Sequence, residues 1–328
     1  MHTTKLATRL LIPLIVLLIA ALAIGVGCQG EEGELPAPPS PGELSSTLVP
    51  NMHLDVYIYA KQDSIITIPA EMIGAPCDIE VESLAVWGIP AEDDFAFGMA
   101  LTLTSASDAS ELYAEINLEE DGWKMLSGST VYLVHGSGTA AEALRTAISN
   151  YDFRYYDDSE PLKAAATLPS RGTTKPAAIA LAKPSKALIG FMAKEVDPED
   201  LEQINMMLKL VNLKAVAVGL YSPQQIDVAE MAEIMGSDGS ISNLNLGLLT
   251  LVKSGLPSFL VEPAIKKFLA ESEFTEMNLG EFTLYKGSWH VDSGEAIPVL
   301  VRIEGNCIFA AVAGQEAYAE TLITSVNK

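Results

Sequence analysis

STVYLVHGSGTAAEALRTAISN, residues 129–150, and CIFAAVAGQEAYAETLITSVNK, residues 307–328, read as one device used twice: an apolar strand, a glycine turn and an amphipathic helix. At a fixed offset of 178 residues (307 − 129), Val134 meets Val312, Gly136 meets Gly314, Ala141 meets Ala319, Glu142 meets Glu320, Leu144 meets Leu322 and Thr146 meets Thr324. Val131 to Val134 is an apolar run, Gly136 to Gly138 turns the chain, and Ala140, Ala143, Leu144, Ala147 and Ile148 recur at helical spacing. In the later copy Ile308 to Ala313 passes through Gly314 into Ala317, Tyr318, Thr321, Leu322 and Val326.

Outward from this pair, a shorter echo sets Leu101 to Ser105 and a helix through Leu112, Glu115 and Ile116 against Gly219 to Ser222 and a helix through Met231, Glu233 and Ile234. Its offset is near 118, so the second copy should carry an insertion of about 60 residues (178 − 118). The insertion falls at about 236–280 and reads as helical: Leu244, Leu246, Leu248, Leu249, Leu251 and Val252 form one apolar segment. Gly255 and Pro257 break it, and Phe259, Leu260, Ile265, Phe268 and Leu269 outline another helix. The remaining strands are expected at Leu84–Gly88, Phe95–Thr104 and Trp123–Leu126 in the first copy, with His53–Ala60 and Ser64–Pro69 extending its sheet or reaching across to the second. The second should have Ala187–Met192, Ala215–Tyr221, Phe282–Tyr285 and Val299–Ile303, with a helix from Pro198 to Val211. This alternation resembles the ferredoxin-like superfold, and implies an α+β protein of two tandem, duplicated sandwich modules. Each would be an antiparallel sheet with helices on one face, the second carrying the helical insertion. The expected division is residues 51–160 and 187–328, joined by a basic linker at 161–186, and many functions share such a fold.

The first 28 residues say where the chain resides. Lys5 and Arg9 precede an apolar run from Leu10 to Gly27 that stops at Cys28, the layout of an export signal. Gly25-Val26-Gly27-Cys28 resembles the lipobox of prokaryotic lipoproteins. The resemblance implies removal of residues 1–27, lipid on Cys28, and a body anchored at the extracytoplasmic face of the cell membrane. The alternative is an uncleaved anchor, since 18 apolar residues is the lower limit for a bilayer span. After Cys28 come Glu31, Glu32, Glu34 and then Pro36, Pro38, Pro39 and Pro41, and residues 28–50 read as a proline-rich tether.

Without residues 1–27 the basic count falls from 20 to 18 by loss of Lys5 and Arg9, against 43 acids, a formal net of −25. A surface so acidic repels nucleic acid, which excludes a DNA- or RNA-binding role and leaves the membrane, through the lipid, and a protein as partners. The charge is polarised: residues 62–123 hold 14 Asp or Glu and no Lys or Arg, whereas 161–194 hold six basic residues and no acid. The basic segment could dock on the acidic one, or both are solvated faces.

Catalytic patterns are sparse. His53, His135 and His290 lie far apart without metal-ligand spacing, and no phosphate-binding glycine loop follows a strand, so no metal, nucleotide or other cofactor is expected. His135-Gly136-Ser137-Gly138-Thr139 places a serine on a strand-to-helix turn, where a cell-surface hydrolase would put its nucleophile. The corresponding turn at Ala313 to Glu316 has neither His nor Ser, which favours an ordinary turn and no catalytic residue. Asn117, Glu119, Asp121 and Gly122 resemble the opening of a calcium loop, but Gly128 stands where its closing Glu belongs. With Cys28 lipidated, Cys77 and Cys307 are the remaining thiols: either they form a disulfide, or Cys307 is a small hydrophobe in an apolar strand. The expectation is a non-catalytic binding or scaffold lipoprotein, with a hydrolase or a solute-binding lipoprotein as alternatives.

Overall fold

Strands that are apolar at every position need cover on both faces. Ala215 to Tyr221 is buried at all seven positions, and Ala178 to Ala182 at all five. The computed structural model describes residues 41–68, 79–90, 95–116, 122–136, 138–170, 176–183, 185, 212–222, 246–290 and 296–326. Among them, α1 (Pro41–Ser46) and β1 (Leu48–Pro50) lead into β2 (Val56–Ile68), β3 (Ile79–Pro90) and β4 (Phe95–Thr102). Then come α2 (Ala106–Glu115), the hairpin β5 (Gly122–Ser127) and β6 (Thr130–His135), α3 (Gly138–Ser149), β7 (Phe153–Tyr155) and α4 (Ser159–Ala166). The second half has β8 (Pro176–Ala182), β9 (Leu213–Tyr221), β10 (Gly247–Ser254), α5 (Ser258–Glu271), β11 (Thr275–Leu279), β12 (Phe282–His290), β13 (Ala296–Glu304), β14 (Cys307–Ala313) and α6 (Glu316–Thr324).

Twelve of these strands form one antiparallel sheet in the order β11-β12-β13-β14-β10-β9-β8-β2-β3-β4-β6-β5; β1 and β7 pair separately. This corrects the expectation of two ferredoxin-like modules with helices on one face: there is one continuous sheet, and helices lie on both of its faces. Ala109, Leu112 and Ile116 of the α2 region and Val261, Ile265 and Leu269 of α5 pack into the core on one face. Leu44 of α1, Ala140, Ala141, Leu144 and Ile148 of α3, Ala164 and Ala165 of α4, and Ala319, Leu322 and Ile323 of α6 fill the other.

The pairing order runs the same way outward from the centre on each side. β2-β3-β4-β6-β5 on one side faces β8-β9-β10-β14-β13 on the other, and the β11–β12 hairpin is the extra piece. α3 packs on β4 and β6, as α6 packs on β10 and β14. The equivalent of β4 is therefore β10, not β9, and that of α2 is α5. Gly247 to Ser254, expected as helix within an insertion, is a strand lying between β9 and β14. The helix over Phe259 to Leu269 is present as α5, and the surplus of the second half is a hairpin. The two strands expected at His53–Ala60 and Ser64–Pro69 are one, β2, from Val56 to Ile68, with a register irregularity between Lys61 and Ile66. The segments expected at Ala187–Met192, Pro198–Val211 and Met231–Ile234 lie outside the described residues.

Two glycines let the helices in. A Cβ at Gly98 of β4 would stand 2.6 Å from Leu144 Cδ2, and one at Gly247 of β10 would stand 2.4 Å from Leu322 Cδ1. Leu144 and Leu322 are themselves partners at the 178-residue offset, both fully buried. Helix ends are secured locally. Ser105 accepts from Asp108 N at 3.1 Å to cap α2, and Lys124 Nζ donates to Tyr113 O at 2.5 Å and Ile116 O at 2.7 Å, satisfying carbonyls at its far end.

Candidate functional site

The β11 end of the sheet carries a cleft of about 410 Å³, bounded by α5, the β11–β12 hairpin and the end of β13. Its walls are charged: Glu262, Glu276, Glu281 and Glu304 stand against Lys266 and Arg302, with Phe282 and Tyr285 between them. Lys266 pairs with Glu262 at 2.7 Å, one turn away on α5, and that bond holds its ammonium above the usual lysine range. Tyr285 OH donates to Glu276 Oε2 at 3.3 Å, and burial raises the Tyr285 hydroxyl despite the neighbouring Lys266.

Arg302 is the anchor of this end. It is 4% exposed, and its guanidinium lies 4.2 Å from the centre of the Phe282 ring and 5.5 Å from that of Phe309. Nη1 donates to Ile323 O at 3.2 Å in the last turn of α6, and Nη2 pairs with Glu304. A buried guanidinium stacked on rings and hydrogen-bonded at both ends is a fixed positive wall. Four carboxylates against two cations leave the cleft net negative, and its chemistry is hydrogen bonding to donors and attraction of a positively charged group.

At the centre of the sheet, Asp55 is 1% exposed immediately ahead of β2. Ser185 Oγ donates to its Oδ2, and His53 Nε2 stands 3.3 Å from Oδ1 without aligning as a hydrogen bond. Burial raises the Asp55 carboxyl, against the lowering effects of Ser185, His53 and Lys183. The carboxylate lies between serine and histidine, so this is not the relay of a nucleophilic hydrolase, in which histidine separates the other two. Histidine spacing could not disclose this cluster, because Ser185 is 130 residues away in the chain.

His135 is exposed at the end of β6, Gly136 and Gly138 adopt φ of +124° and +79°, and Arg145 Nη2 of α3 donates to Gly136 O at 2.9 Å. Thr139 is exposed in the first turn of α3. Ser137, Asn117, Glu119, Asp121, Cys28 and Cys77 lie outside the described residues. Cys307 is a half-buried thiol at the start of β14, raised by burial. Among the described residues no group of three His, Cys, Asp or Glu could hold a metal ion, and no helix is long and apolar enough to cross a membrane. Of the basic segment at 161–194, Lys163 contacts Glu160 at 3.5 Å and Lys183 contacts Asp158 at 3.4 Å, partners in the α4 region and not in residues 62–123.

No protein-family model and no curated protein matches the chain. Among solved structures, an N-terminal dehydratase from the difficidin assembly line aligns over 97% of this chain and 89% of its own, at 11% identity and a TM-score of 0.11. A score that low carries no argument about fold or chemistry.

Proposed function

We propose that the chain is a lipid-anchored protein of the extracytoplasmic face of the cell membrane, a non-catalytic binding or scaffold protein. The observation that carries this reading is the leader: Lys5 and Arg9, the apolar run from Leu10, and Gly25-Val26-Gly27 ending at Cys28. The acidic surface supports it by keeping the body soluble beside the membrane, and the cleft beside Arg302 supplies a place for a small ligand bearing an amino group.

The test is metabolic labelling with a fatty acid. Wild type should take up label and remain with membranes, whereas Cys28→Ala should take up none and be released or misprocessed; labelling and retention of that variant at the wild-type level overturn the anchor. For the cleft, spermidine should raise Tm in a way that survives high sodium chloride and disappears in Glu281→Gln. A rise that sodium chloride reproduces would mean charge screening and no site.

A further inference from the structure

Among the described residues, Leu48, Tyr151 and Tyr155 are large apolar side chains left at the surface, at 55%, 61% and 64% exposure. They belong to one corner of the molecule. Leu48 and Tyr155 are direct cross-strand partners in the β1–β7 pair, and the ring of Phe153, two residues along on the same side of β7, lies tilted against that of Tyr132 with centres 5.9 Å apart. Tyr151 stands two residues before Phe153, in the turn that leads from α3 into β7. The result is a ridge of one leucine and two exposed tyrosines, with the half-buried Phe153 and Tyr132 rings behind it.

The place where the chain enters decides what covers that ridge. Leu48 follows α1 directly, so the ridge begins seven residues after Pro41. Only the 12 residues Gln29 to Ser40 separate the lipid-bearing position from α1, a reach of at most about 45 Å even when fully extended. A surface held this close to a bilayer by a covalent tether meets it at an effective concentration on the order of millimolar, so a weak affinity for the interface suffices. Tyrosine suits that place, its ring in the apolar boundary and its hydroxyl among the headgroups.

We propose that the corner formed by Leu48, Tyr151 and Tyr155 rests in the headgroup region of the bilayer that holds the lipid on Cys28. The proposal depends on the lipoprotein reading above. It fixes the orientation of the body: the β1–β7 corner, whose Phe153 packs on Trp87 of β3 and Tyr132 of β6, faces the membrane, and the Arg302 cleft belongs to the other half of the sheet. The net charge of −25 selects zwitterionic over anionic lipid.

The experiment uses the full lipidated chain in vesicles of brominated phosphatidylcholine, whose bromines quench tryptophan emission at the interface. Tyr155→Trp should lose at least twice as much added emission as Phe259→Trp. Phe259 serves as the control because it is 71% exposed on α5, which packs on the other sheet face. Adding anionic phosphatidylglycerol should diminish the difference. Protein that floats with the vesicles while neither probe is quenched, or both are quenched alike, overturns the docking and leaves the anchor intact. Shielding of the Tyr155→Trp probe that grows with protein density and not with brominated lipid assigns the corner to a second copy of the chain and likewise overturns it. Protein that does not float and carries no lipid on Cys28 overturns both readings.

Discussion

Asp55 holds a carboxylate where water does not reach, and its environment is only partly equal to the charge. Ser185 and His53 favour the ionised form, yet burial outweighs them and the carboxyl is raised from its ordinary range. The folded chain therefore binds this proton more tightly than the unfolded chain. Stability from the neutral carboxyl is complete below the unfolded carboxylate range, near about 3.9, and is lost as pH climbs through the raised native value. Asp55→Asn keeps an acceptor for Ser185 and removes the buried charge. It should stabilise the protein by about 1 kcal/mol at neutral pH and lose that advantage in acid. Urea unfolding of both forms across pH checks this, and a variant weaker than wild type at neutral pH but equal to it in acid would show that the ionised carboxylate is needed. Arg302 is the opposite case, a buried cation whose contacts are all made. Arg302→Lys retains charge but not the flat guanidinium against Phe282 and Phe309, and should cost roughly 1–2 kcal/mol. An unchanged urea midpoint would place the anchoring elsewhere.

At the scale of elements, the helices on the α3–α6 face are positioned by what the strands lack. Gly98→Ala and Gly247→Ala would each press a methyl into a fully buried leucine on the helix above, and each should destabilise by about 1–3 kcal/mol. A cost below about 0.5 kcal/mol at both sites would mean that the helices shift freely on the sheet. These glycines were visible in the sequence, but nothing in a single strand says which residue will stand above it. What was legible were the strand-turn-helix units at 129–150 and 307–328, because an apolar run, a glycine and a helical period are all local. Gly247 to Ser254 was misread for a physical reason: a strand covered on both faces shows no alternation, and its leucines fit a buried helix equally well. The echo at offset 118 matched the end of β4 with β9, the equivalent of its neighbour β3, because short apolar runs resemble one another. The cleft was not legible either, since Lys266, Glu276 and Arg302 come together only when α5 crosses β11 to β13.

On the scale of the whole molecule, the β2–β8 ladder decides how the two halves behave. Read as two separate modules, the chain should move at a loose junction. Instead Val56 to Ala60 pairs with Ala182 to Ala178 in the middle of the sheet, and β2 and β8 are buried there on both sides. α4 reinforces the junction, since it follows the first half in the chain yet packs on β8, β9 and β10 of the second. Lys253 of β10 ties it further with a 2.8 Å ion pair to Glu160 of α4. Each fully buried Ile or Leu at this seam contributes roughly 1.5–3 kcal/mol, against about 0–1 kcal/mol for an ion pair of that exposure, so the apolar ladder dominates. Opening one half would expose the inner strand of the other, and the two should therefore unfold together. Native-state hydrogen exchange is the measurement: amides of β4 and β14, on opposite sides of the seam, should exchange through one global opening with the same free energy. Ile58→Ala, a cavity at the seam costing about 2–5 kcal/mol, should lower both by equal amounts. If β14 kept its protection while β4 lost it, the sheet would be two cooperative units that merely touch at β2 and β8.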